Sequence, residues 1–322
     1  STLKSYQSNF FVPKFFLFFL HGPLKLKIFI VHFGLIKTIL YFKVNLENLL
    51  IYIDNLKMLV DKKFNLLKPI KKSNLLRLGR NSDGGYVVNL DAIKKCNILI
   101  SFGMGSDWSF ELDYIKKNNN GSIHIYDYTV SASPYIKEII KYFRRFITFR
   151  STYIALIERL NNFYNYKKFL SLRNVNFYKE KITDKITNKI DSDINKVFQR
   201  IKKEEVILKC DIEGSEYKII DHILEHNEQI QMLIVEFHWI DKNEEEFLEA
   251  IKKLKNYFQI VHIHGNNHFQ EKINGLPIIL EITFLKTKYV KEEKTEYIKE
   301  FPIEGLDYPC NSYKEDLTFY FE

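Results

Sequence analysis

The stretch VILKCDIEGSEYKIIDHIL, residues 206–224, changes within a few positions from the pattern of a buried strand to that of an amphipathic helix. An acidic elbow separates the two halves and places Asp211, Glu213 and Glu216 around a single glycine. Acidic residues in the first turn of a helix suit its dipole, which explains Glu216 and in part Glu213. Asp211 has no such explanation. Because it follows a strand directly, it lies at the edge where open α/β sheets bind ligands, and it is the first candidate site residue.

Strands and helices alternate along most of the chain around this elbow. Besides the strand before the elbow, the predicted strands are Ile98 to Phe102, SIHIYDYTVS with its end at Asp127, VNFYKEKIT, QMLIVEFHWI, FQIVHIHGNN and LPIILEITFLK. The loop between the last two is too short for a crossover helix, so these strands must pair antiparallel. We therefore expect an α/β, Rossmann-like, doubly wound sheet of seven mostly parallel strands that ends in an antiparallel hairpin.

Shorter patterns complete the predicted elements. The turn Asp83-Gly84-Gly85 between two apolar runs predicts a β-hairpin. A helix is expected from about Trp108, and residues 134–170 have a helical composition. Residues 183–203 are polar and predict a loop with a surface helix. Asp241 is expected to cap the helix KNEEEFLEAIKKLKNYF, which is acidic at its start and basic at its end.

The sequence divides into three parts: an aromatic and basic helical N-terminal extension over residues 1–72, a catalytic domain over 73–290 and a C-terminal tail over 291–322. Residues 44–72 predict one or two amphipathic helices that end near Pro69. In residues 9–43 the longest charge-free stretch is much shorter than the roughly 20 residues that span a membrane. This segment is expected to lie on an anionic membrane face, or to pack against the catalytic domain or a second subunit. The first alternative predicts a peripheral membrane contact, and packing against a second subunit predicts a homo-oligomer.

The charge balance limits the partners. The 322 residues carry a formal net charge of +8, which favours a membrane surface, a phosphorylated or nucleotide-linked substrate, or an acidic glycan. The basic residues are spread along the chain and form no nucleic-acid motif, so no nucleic-acid partner is expected. Cys96, Cys210 and Cys310 are far apart and indicate neither a zinc site nor a disulfide framework. We expect a cytoplasmic protein, and a peripheral position at the inner membrane face is compatible with that expectation.

The first strand-to-helix turn contains Gly103, Gly105 and Asp107. Glycines there let a ligand approach the backbone, and the following helix start attracts negative charge. Trp108 stands where a dinucleotide fingerprint needs a third glycine, which argues against a nicotinamide cofactor. Asp127 ends the next strand, where an acid accepts hydrogen bonds from ribose hydroxyls in this topology. The pair predicts an adenosine-containing ligand, and the alternative is a tight turn with an N-cap.

Polar groups also follow the later strands. Glu236 and His238 point to one face by strand alternation, as do His262 and His264, and Asp241 lies just beyond His238. A core rarely holds so many polar groups without purpose. Together with Asp211, they predict a divalent metal site of Asp211, Glu236 and His238 for Mg²⁺ or Mn²⁺, or a general base, or a hydrogen-bonding pocket for a sugar.

Taken together, these motifs resemble a known family. The segments that carry the resemblance are LGRNSDGGYVV, SFGMGSDWSFE, HIYDYT, VNFYKEKIT, ILKCDIEGSEYKII, IVEFHW and HIHGNN. In this order they are similar to the FkbM-type S-adenosylmethionine-dependent methyltransferases of class I, over about residues 75–287. The resemblance implies that Gly103 and Gly105 shape the cofactor loop, that Asp127 holds the ribose, and that Asp211 and Glu213 face the reacting centre.

Two positions depart from the common class I motif. Ser101 stands where that motif has an acid, and Asp107 stands where it has a third glycine. The methionine end of S-adenosylmethionine is then expected to be held differently, with Asp107 at the amino group. The predicted cofactor site consists of Ser101, Gly103, Gly105, Asp107, Asp127 and Asp211.

The resemblance implies O-methylation of a sugar hydroxyl, here on a surface glycan or glycan precursor, with an anionic or lipid-linked acceptor as one form. Such a transfer needs alignment and the removal of one proton. His238 is the expected base and His264 the second candidate; alternatively, a metal with Asp211 as a ligand lowers the pKa of the hydroxyl. The alternatives are a methyltransferase acting on a protein or another small molecule, and a catalytically silent, membrane-associated scaffold.

Overall fold

A seven-stranded sheet forms the centre of the computed structural model, which describes residues 58–290 and 296–322. Its strands are β1 (Ile98–Phe102), β2 (Ser122–Tyr126), β3 (Val175–Tyr178), β4 (Val206–Cys210), β5 (Ile230–Phe237), β6 (Phe258–Gly265) and β7 (Leu280–Lys286). Their order across the sheet is β3-β2-β1-β4-β5-β7-β6. All neighbours pair in parallel except β7, which is antiparallel to both β5 and β6. The predicted fold class and its terminal antiparallel hairpin are confirmed.

Helices cover both faces of this sheet, and each follows a strand or a turn in the predicted alternation. They are α1 (Leu90–Lys95), α2 (Ser109–Lys117), α3 (Ser133–Ile147), α4 (Tyr153–Leu170), α5 (Ile194–Ile201), α6 (Glu216–Glu225) and α7 (Glu244–Lys255). The inner strands are buried from end to end because both of their faces are covered. Within residues 58–290 and 296–322, none of the helices is long and apolar enough to cross a membrane.

The strand order reverses between β1 and β4, and this reversal positions the site. The chain runs outward from β1 to β2 and β3, and then returns to place β4 on the other side of β1. The loops that follow β1 and β4 therefore diverge and leave a crevice at the carboxyl edge of the sheet. The predicted hairpin is also confirmed: Leu75–Leu78 pairs with Tyr86–Asn89, and the second of these strands lies against β5 and β7.

Two local predictions are wrong. The α-helix expected to continue to Pro69 is replaced, from residue 58 onward, by a short strand at Met58–Leu59 and a 3-10 helix at Lys62–Leu67. Pairing with the tail strand Phe319–Tyr320 outweighs helical periodicity in the first of these segments. The predictions for residues 1–57, including the segment 9–43, lie outside the described residues.

The second wrong prediction concerns Asp241. Helix α7 begins at Glu244, with Asn243 as its N-cap, and Asp241 does not cap it. The backbone N–H of Asn243 bonds to the carbonyl of Trp239, whose φ is +55°, so an additional turn precedes the helix. This turn moves the helix start beyond Asp241.

The C-terminal tail joins the body from residue 296. Its strands Glu300–Phe301 and Phe319–Tyr320 form a small sheet with Met58–Leu59. Phe301, Phe319 and Phe321 are buried in the main core. The domain limits at residues 72 and 290 stay predictions, but the described tail packs as part of the same core.

Candidate functional site

A cavity of about 860 Å³ opens at the carboxyl ends of β1, β2 and β4. Several segments of the chain line it: the turn of the hairpin, the loops after β1, β2 and β3, the end of β4 with the acidic elbow, the loop after β6 and the tail. The lining residues that matter below are Asp83, Gly103, Gly105, Asp107, Glu111, Asp127, Lys209, Asp211, Glu213, His268, Cys310, Asn311, Ser312 and Tyr313.

The two glycines of the β1 loop are needed for different reasons. Both have a positive φ, +74° at Gly103 and +60° at Gly105, which side-chain-bearing residues rarely adopt. A Cβ at Gly103 would lie 1.7 Å from the carbonyl oxygen of Asp211, so the loop packs directly on the elbow. A Cβ at Gly105 would meet nothing within 4 Å. The loop is therefore tight on its inner side and open at Gly105.

Asp127 holds this loop in shape. Its Oδ2 accepts hydrogen bonds from the backbone N–H groups of Met104 and Gly105 at 3.0 and 2.9 Å. Its Oδ1 accepts from the backbone and hydroxyl of Thr129 at 2.8 and 2.6 Å. Asp127 lines the cavity, as the sequence predicts, but both of its oxygens are already engaged by the protein. Its contact with a ribose stays a prediction.

Lys209 places a buried cation beneath the same loop, and the sequence analysis missed it. Its Nζ donates to the carbonyl of Gly103 at 2.7 Å. Burial alone would lower the pKa of Lys209, but Asp211 and Glu111 outweigh it and raise that pKa, so the side chain stays charged. A lysine inside the apolar run VILKC was the available signal, because a buried charge in a strand requires partners.

Glu216 shapes the acidic elbow. Its Oε1 accepts from the backbone N–H groups of Ile212 and Gly214, both at 3.1 Å, and lies 3.0 Å from Nδ1 of His238. It is fully buried. Glu213, by contrast, has a positive φ of +57° and a side chain that is 84% exposed at the cavity. Glu216, for which the helix dipole offered an explanation, therefore fixes the shape of the elbow. Glu213 instead faces outward.

Tyr86 connects two carboxyl groups. Its hydroxyl lies 2.9 Å from Oδ2 of Asp211 and 3.0 Å from Oε2 of Glu236. One phenol hydrogen can be donated to only one of them, so the other contact requires a proton on the carboxyl. Burial and the nearby charges of Asp211 and Glu281 raise the pKa of Glu236 well above its usual value. The raised pKa favours a proton on Glu236, and with that proton Glu236 donates to Tyr86 while Tyr86 donates to Asp211.

His238 lies behind Asp211 and Glu213. Its Nε2 is 3.9 Å from Oδ1 of Asp211 and 3.5 Å from Oε2 of Glu213. Burial opposes its charge, but the hydrogen bond with Glu216 and the surrounding carboxylates raise the pKa of His238 to about 9. At neutral pH the imidazole is a cation, and it must lose a proton before it can act as a base. The assignment of His238 as the base stays a prediction.

The structure groups a different set of possible metal ligands from the one expected. Ligand atoms of Asp211, Glu213 and His238 lie within 4.8 Å of one another. Glu236 is engaged elsewhere, because its Oε1 accepts from Asn266 at 2.8 Å and its Oε2 contacts Tyr86. A metal site at Asp211, Glu236 and His238 stays a prediction, and the geometry favours Glu213 over Glu236 as its third member.

Strand β7 lies between β5 and β6, so the polar side chains of those two strands are separated by one strand. Its Glu281 stands in register with Glu236 on one side and His264 on the other. His264 is fully buried, with Nδ1 3.1 Å from Glu281 and Nε2 3.2 Å from Asp316. Burial opposes its charge, but Asp316, Cys310 and Glu281 raise the pKa of His264 well above its usual value. His264 thus ties β6 to the tail, and its catalytic role stays a prediction.

The two departures from the family motif are both engaged within the protein. Ser101 is fully buried, and its hydroxyl donates to Glu111 at 2.6 Å. Asp107 accepts from the backbone and hydroxyl of Ser109, at 3.1 and 2.9 Å, and pairs with Arg80 at 3.1 Å. Asp107 thereby holds the start of α2 at the cavity wall. Glu111, which the sequence analysis missed, lines the cavity in place of Ser101.

The tail forms one wall of the cavity through residues 310–313. Asn267, after β6, holds it: its amide donates to the carbonyls of Asn311, Lys314 and Glu315 at 3.0 to 3.2 Å. The backbone N–H of Asn311 donates back to the Asn267 side chain. This wall lies outside the region of family resemblance, so the motifs gave no sign of it.

No family model and no curated protein matches the chain. Similar solved structures include a precorrin-6y C5,15-methyltransferase from Geobacter metallireducens, at 14% identity over 61% of this chain and 85% of that one, with a TM-score of 0.31. Fibrillarin from Methanococcus jannaschii is 12% identical over 61% and 68%, with a TM-score of 0.33. A predicted O-methyltransferase from Agrobacterium tumefaciens is 10% identical over 62% and 81%, with a TM-score of 0.28. Similarity this low assigns neither a family nor a function, and the FkbM resemblance stays a prediction.

Proposed function

We propose that this protein is an S-adenosylmethionine-dependent methyltransferase that acts on a hydroxyl group of a sugar. One observation carries the proposal: the β1 loop, held by Asp127 and Lys209, leaves open space at Gly105 in the crevice where the strand order reverses. Doubly wound sheets bind nucleotide-like ligands in that crevice.

The cavity suits this cofactor in size and charge. Its volume of about 860 Å³ falls within the usual range for small-molecule sites. Asp83, Asp211 and Glu213 line it, and such carboxylates favour a ligand with cationic groups. The residues that would hold S-adenosylmethionine are the backbone of Gly103 to Gly105 and the segment around Asp127. When bound, the cofactor supplies an electrophilic methyl carbon.

Asp211 is the residue best placed to receive the proton of the acceptor hydroxyl. Its side chain is 24% exposed at the cavity, and Tyr86 donates to one of its oxygens. His238 lies near the other oxygen as a cation. These contacts orient Asp211 towards the cavity. If Asp211 is the base, turnover stays nearly level between pH 7 and pH 9; if His238 is the base, turnover rises as pH approaches 9 and the imidazolium loses its proton.

A sugar is the acceptor that the far wall of the cavity supports. Hydrogen-bonding groups from separate parts of the chain line the cavity there, namely Asp83, His268, Asn311, Ser312 and Tyr313. A hydroxyl-rich ligand needs several such groups, and an exposed tyrosine ring offers a surface against which a sugar can pack. An anionic or lipid-linked glycan stays a prediction from the net charge of +8, because the carboxylates at the cavity do not themselves attract an anion.

The test is transfer of a labelled methyl group from S-adenosylmethionine to a glycan fraction, a lipid-linked glycan fraction and a protein fraction. We expect label in a glycan as an ether that resists mild base. An Asp211→Asn substitution should lower the transfer at least about a hundredfold, the range of a general base. The matched control is Asp221→Asn, which makes the same change at an exposed residue of α6. Label confined to protein would favour the alternative acceptor and contradict the sugar proposal.

Metal dependence is tested in the same assay. If Asp211, Glu213 and His238 bind Mg²⁺ or Mn²⁺, a chelator abolishes transfer and the added ion restores it. Transfer that is unaffected by the chelator would remove the metal from the proposal and leave Asp211 as the base. A protein that binds no S-adenosylmethionine would instead favour the catalytically silent scaffold.

A further inference from the structure

Helices α3 and α4 form a hairpin that is attached at one end and free at the other within the described part of the chain. At its base, Trp108 contacts Tyr166 and stacks on Phe169, the two buried residues of α4. Helix α3 has no buried residue, and all residues from Phe143 to Arg150 are exposed. The outer half of the hairpin therefore contributes little to the core.

Each helix nevertheless carries a row of large apolar side chains at the spacing i, i+4, i+7 and i+11. This spacing places the members of a row on one side of a helix. The rows are Ile136, Ile140, Phe143 and Ile147 on α3, and Tyr153, Ile157, Leu160 and Tyr164 on α4. All eight side chains are between 44% and 63% exposed.

The two rows lie on the same side of the hairpin. The helices touch through Tyr142 and Arg159, joined by a hydrogen bond of 3.2 Å, and through Tyr135 and Tyr166, whose rings stack at 4.6 Å. At about 100° per residue, the row lies about 120° further around the helix than these contacts on α3 and about 140° further on α4. Because the two helices are antiparallel, a rotation in the same sense away from their mutual contact turns both rows to the same side of the hairpin. The eight side chains form one apolar face, and Phe149, 97% exposed, stands at its tip.

The hairpin also concentrates the positive charge of the protein. Residues 133–170 contain eight basic and two acidic side chains, a net charge of +6 out of +8 for the whole chain. Helical spacing places Lys137, Arg144 and Lys168 at the outer borders of the apolar face, and Arg150 lies next to Phe149 at the tip. An apolar, aromatic face with basic borders is typical of helices that lie in the interface of an anionic bilayer.

We infer that the α3–α4 hairpin is a docking surface for an anionic lipid membrane. A second copy of the chain is the competing occupant, but two such faces in contact would bring together two hairpins of net charge +6 each, whereas anionic lipid neutralises that charge. The inference does not depend on methyl transfer. Gly105, Ser106 and Thr129 border both the main cavity and a smaller one of about 460 Å³ at the hairpin base, so the base of the hairpin adjoins the main cavity.

The first test is sedimentation of the full-length protein with vesicles of phosphatidylcholine alone and with about a third of phosphatidylglycerol. We expect binding to the anionic vesicles that weakens with salt. Phe149→Asn should lower the partition coefficient about tenfold, since it removes an inserting ring while asparagine tolerates the local φ of +56°. The matched control is Tyr297→Asn, which removes an aromatic side chain that is 52% exposed outside the cavity and should leave vesicle binding unchanged.

A second measurement uses Phe149→Trp, compared with the wild type, which has two other tryptophans. Its emission should shift to the blue with anionic vesicles and be quenched by brominated acyl chains. Vesicle binding that is unaffected at Phe149 would assign it to another segment, such as residues 9–43, and overturn the inference. A dimer that Phe149→Asn disperses, without vesicle binding by the wild type, would assign the face to a second copy and equally overturn it.

Discussion

The buried carboxylate Glu216 is the hydrogen-bond partner that favours the charged form of His238. Glu216→Gln keeps an oxygen that can accept hydrogen bonds but removes the negative charge beside Nδ1 of His238. We expect the pKa of His238 to be about 9 in the wild type and to fall by at least about one unit in the variant. Imidazole carbon shifts followed by NMR from pH 5 to pH 10 measure both values.

The sign of the associated stability follows from linkage. Because folding raises the pKa of His238 above its ordinary 6.5, the stabilisation is complete below pH 6.5 and is lost as pH rises through about 9. The free energies of unfolding of the wild type and His238→Gln should therefore converge over that interval. An unchanged His238 pKa in Glu216→Gln would show that another group holds the proton.

Alanine substitutions at Gly103 and Gly105 should differ in their effect on the free energy of unfolding. Alanine is strained at both positive φ values, at a cost of about 1 kcal/mol. At Gly103 the new Cβ would also collide with the carbonyl of Asp211. Urea unfolding should show that Gly103→Ala is destabilised by about 3 kcal/mol or more, or does not fold, and that Gly105→Ala loses about 1 kcal/mol. Equal losses in the two variants would mean that the loop does not pack on the elbow.

At the scale of elements, one ion pair joins the end of β3 to α5. Arg200 donates to both carboxylate oxygens of Glu180 at 2.7 and 2.8 Å, and its guanidinium lies 4.3 Å from the Tyr178 ring centroid. The hydrogen bonds from Arg200 lower the pKa of Glu180 to about 2. Glu180→Gln should cost about 1–2 kcal/mol at pH 7, because a charge-assisted bidentate pair becomes a neutral one.

The stability lost in Glu180→Gln should depend on pH, and this dependence tests the ion pair. A carboxyl whose pKa is lowered on folding contributes stability above its ordinary pKa of 4.5, and that contribution disappears as pH falls to about 2. The difference in unfolding free energy between the wild type and Glu180→Gln should therefore shrink from pH 4.5 downward. A difference that stays constant to pH 2 would contradict the ion pair.

The order of strands and helices could be predicted from sequence because apolar runs and helical periodicity follow directly from burial. Strand β1 was expected at Ile98 to Phe102, where the structure has it. Long-range pairing could not be predicted in the same way. The segment Met58–Leu59 becomes a strand only because the tail pairs with it, and Glu281 meets Glu236 and His264 only because β7 enters between β5 and β6.

The residues of the candidate site also divide into those with a local sequence signal and those that depend on long-range contacts. Asp211, Gly103, Gly105 and Asp127 were found because they end predicted strands, and the cavity does bring them together. Tyr86 comes from a hairpin more than a hundred residues before the elbow, so no local pattern indicated that it would contact Asp211. Such contacts depend on tertiary structure, which residue spacing does not encode.

At the scale of the whole molecule, the tail completes the cavity, and Asn267 holds it there together with His264. Asn267 is fully buried and bonds to the backbone of Asn311, Lys314 and Glu315. Asn267→Ala should free the segment 308–316 while the seven-stranded sheet stays folded, because the lost bonds lie at the periphery. Limited proteolysis should cut this segment at least about ten times faster in the variant, the effect of losing about 1.4 kcal/mol of local stability. Cleavage at the wild-type rate would show that other contacts hold the wall.

The central claim is that the cavity at Gly105 binds S-adenosylmethionine. Isothermal titration with this compound and with its demethylated product tests the claim most directly, in the wild type, in Gly105→Asn and in Gly305→Asn. The two substitutions are matched, since both glycines have a positive φ and open space around the Cβ position, but Gly305 is an exposed residue of the tail. We predict that the wild type and Gly305→Asn bind both ligands and that Gly105→Asn binds at least about tenfold more weakly. An absence of binding by the wild type, or undiminished binding by Gly105→Asn, would contradict the account.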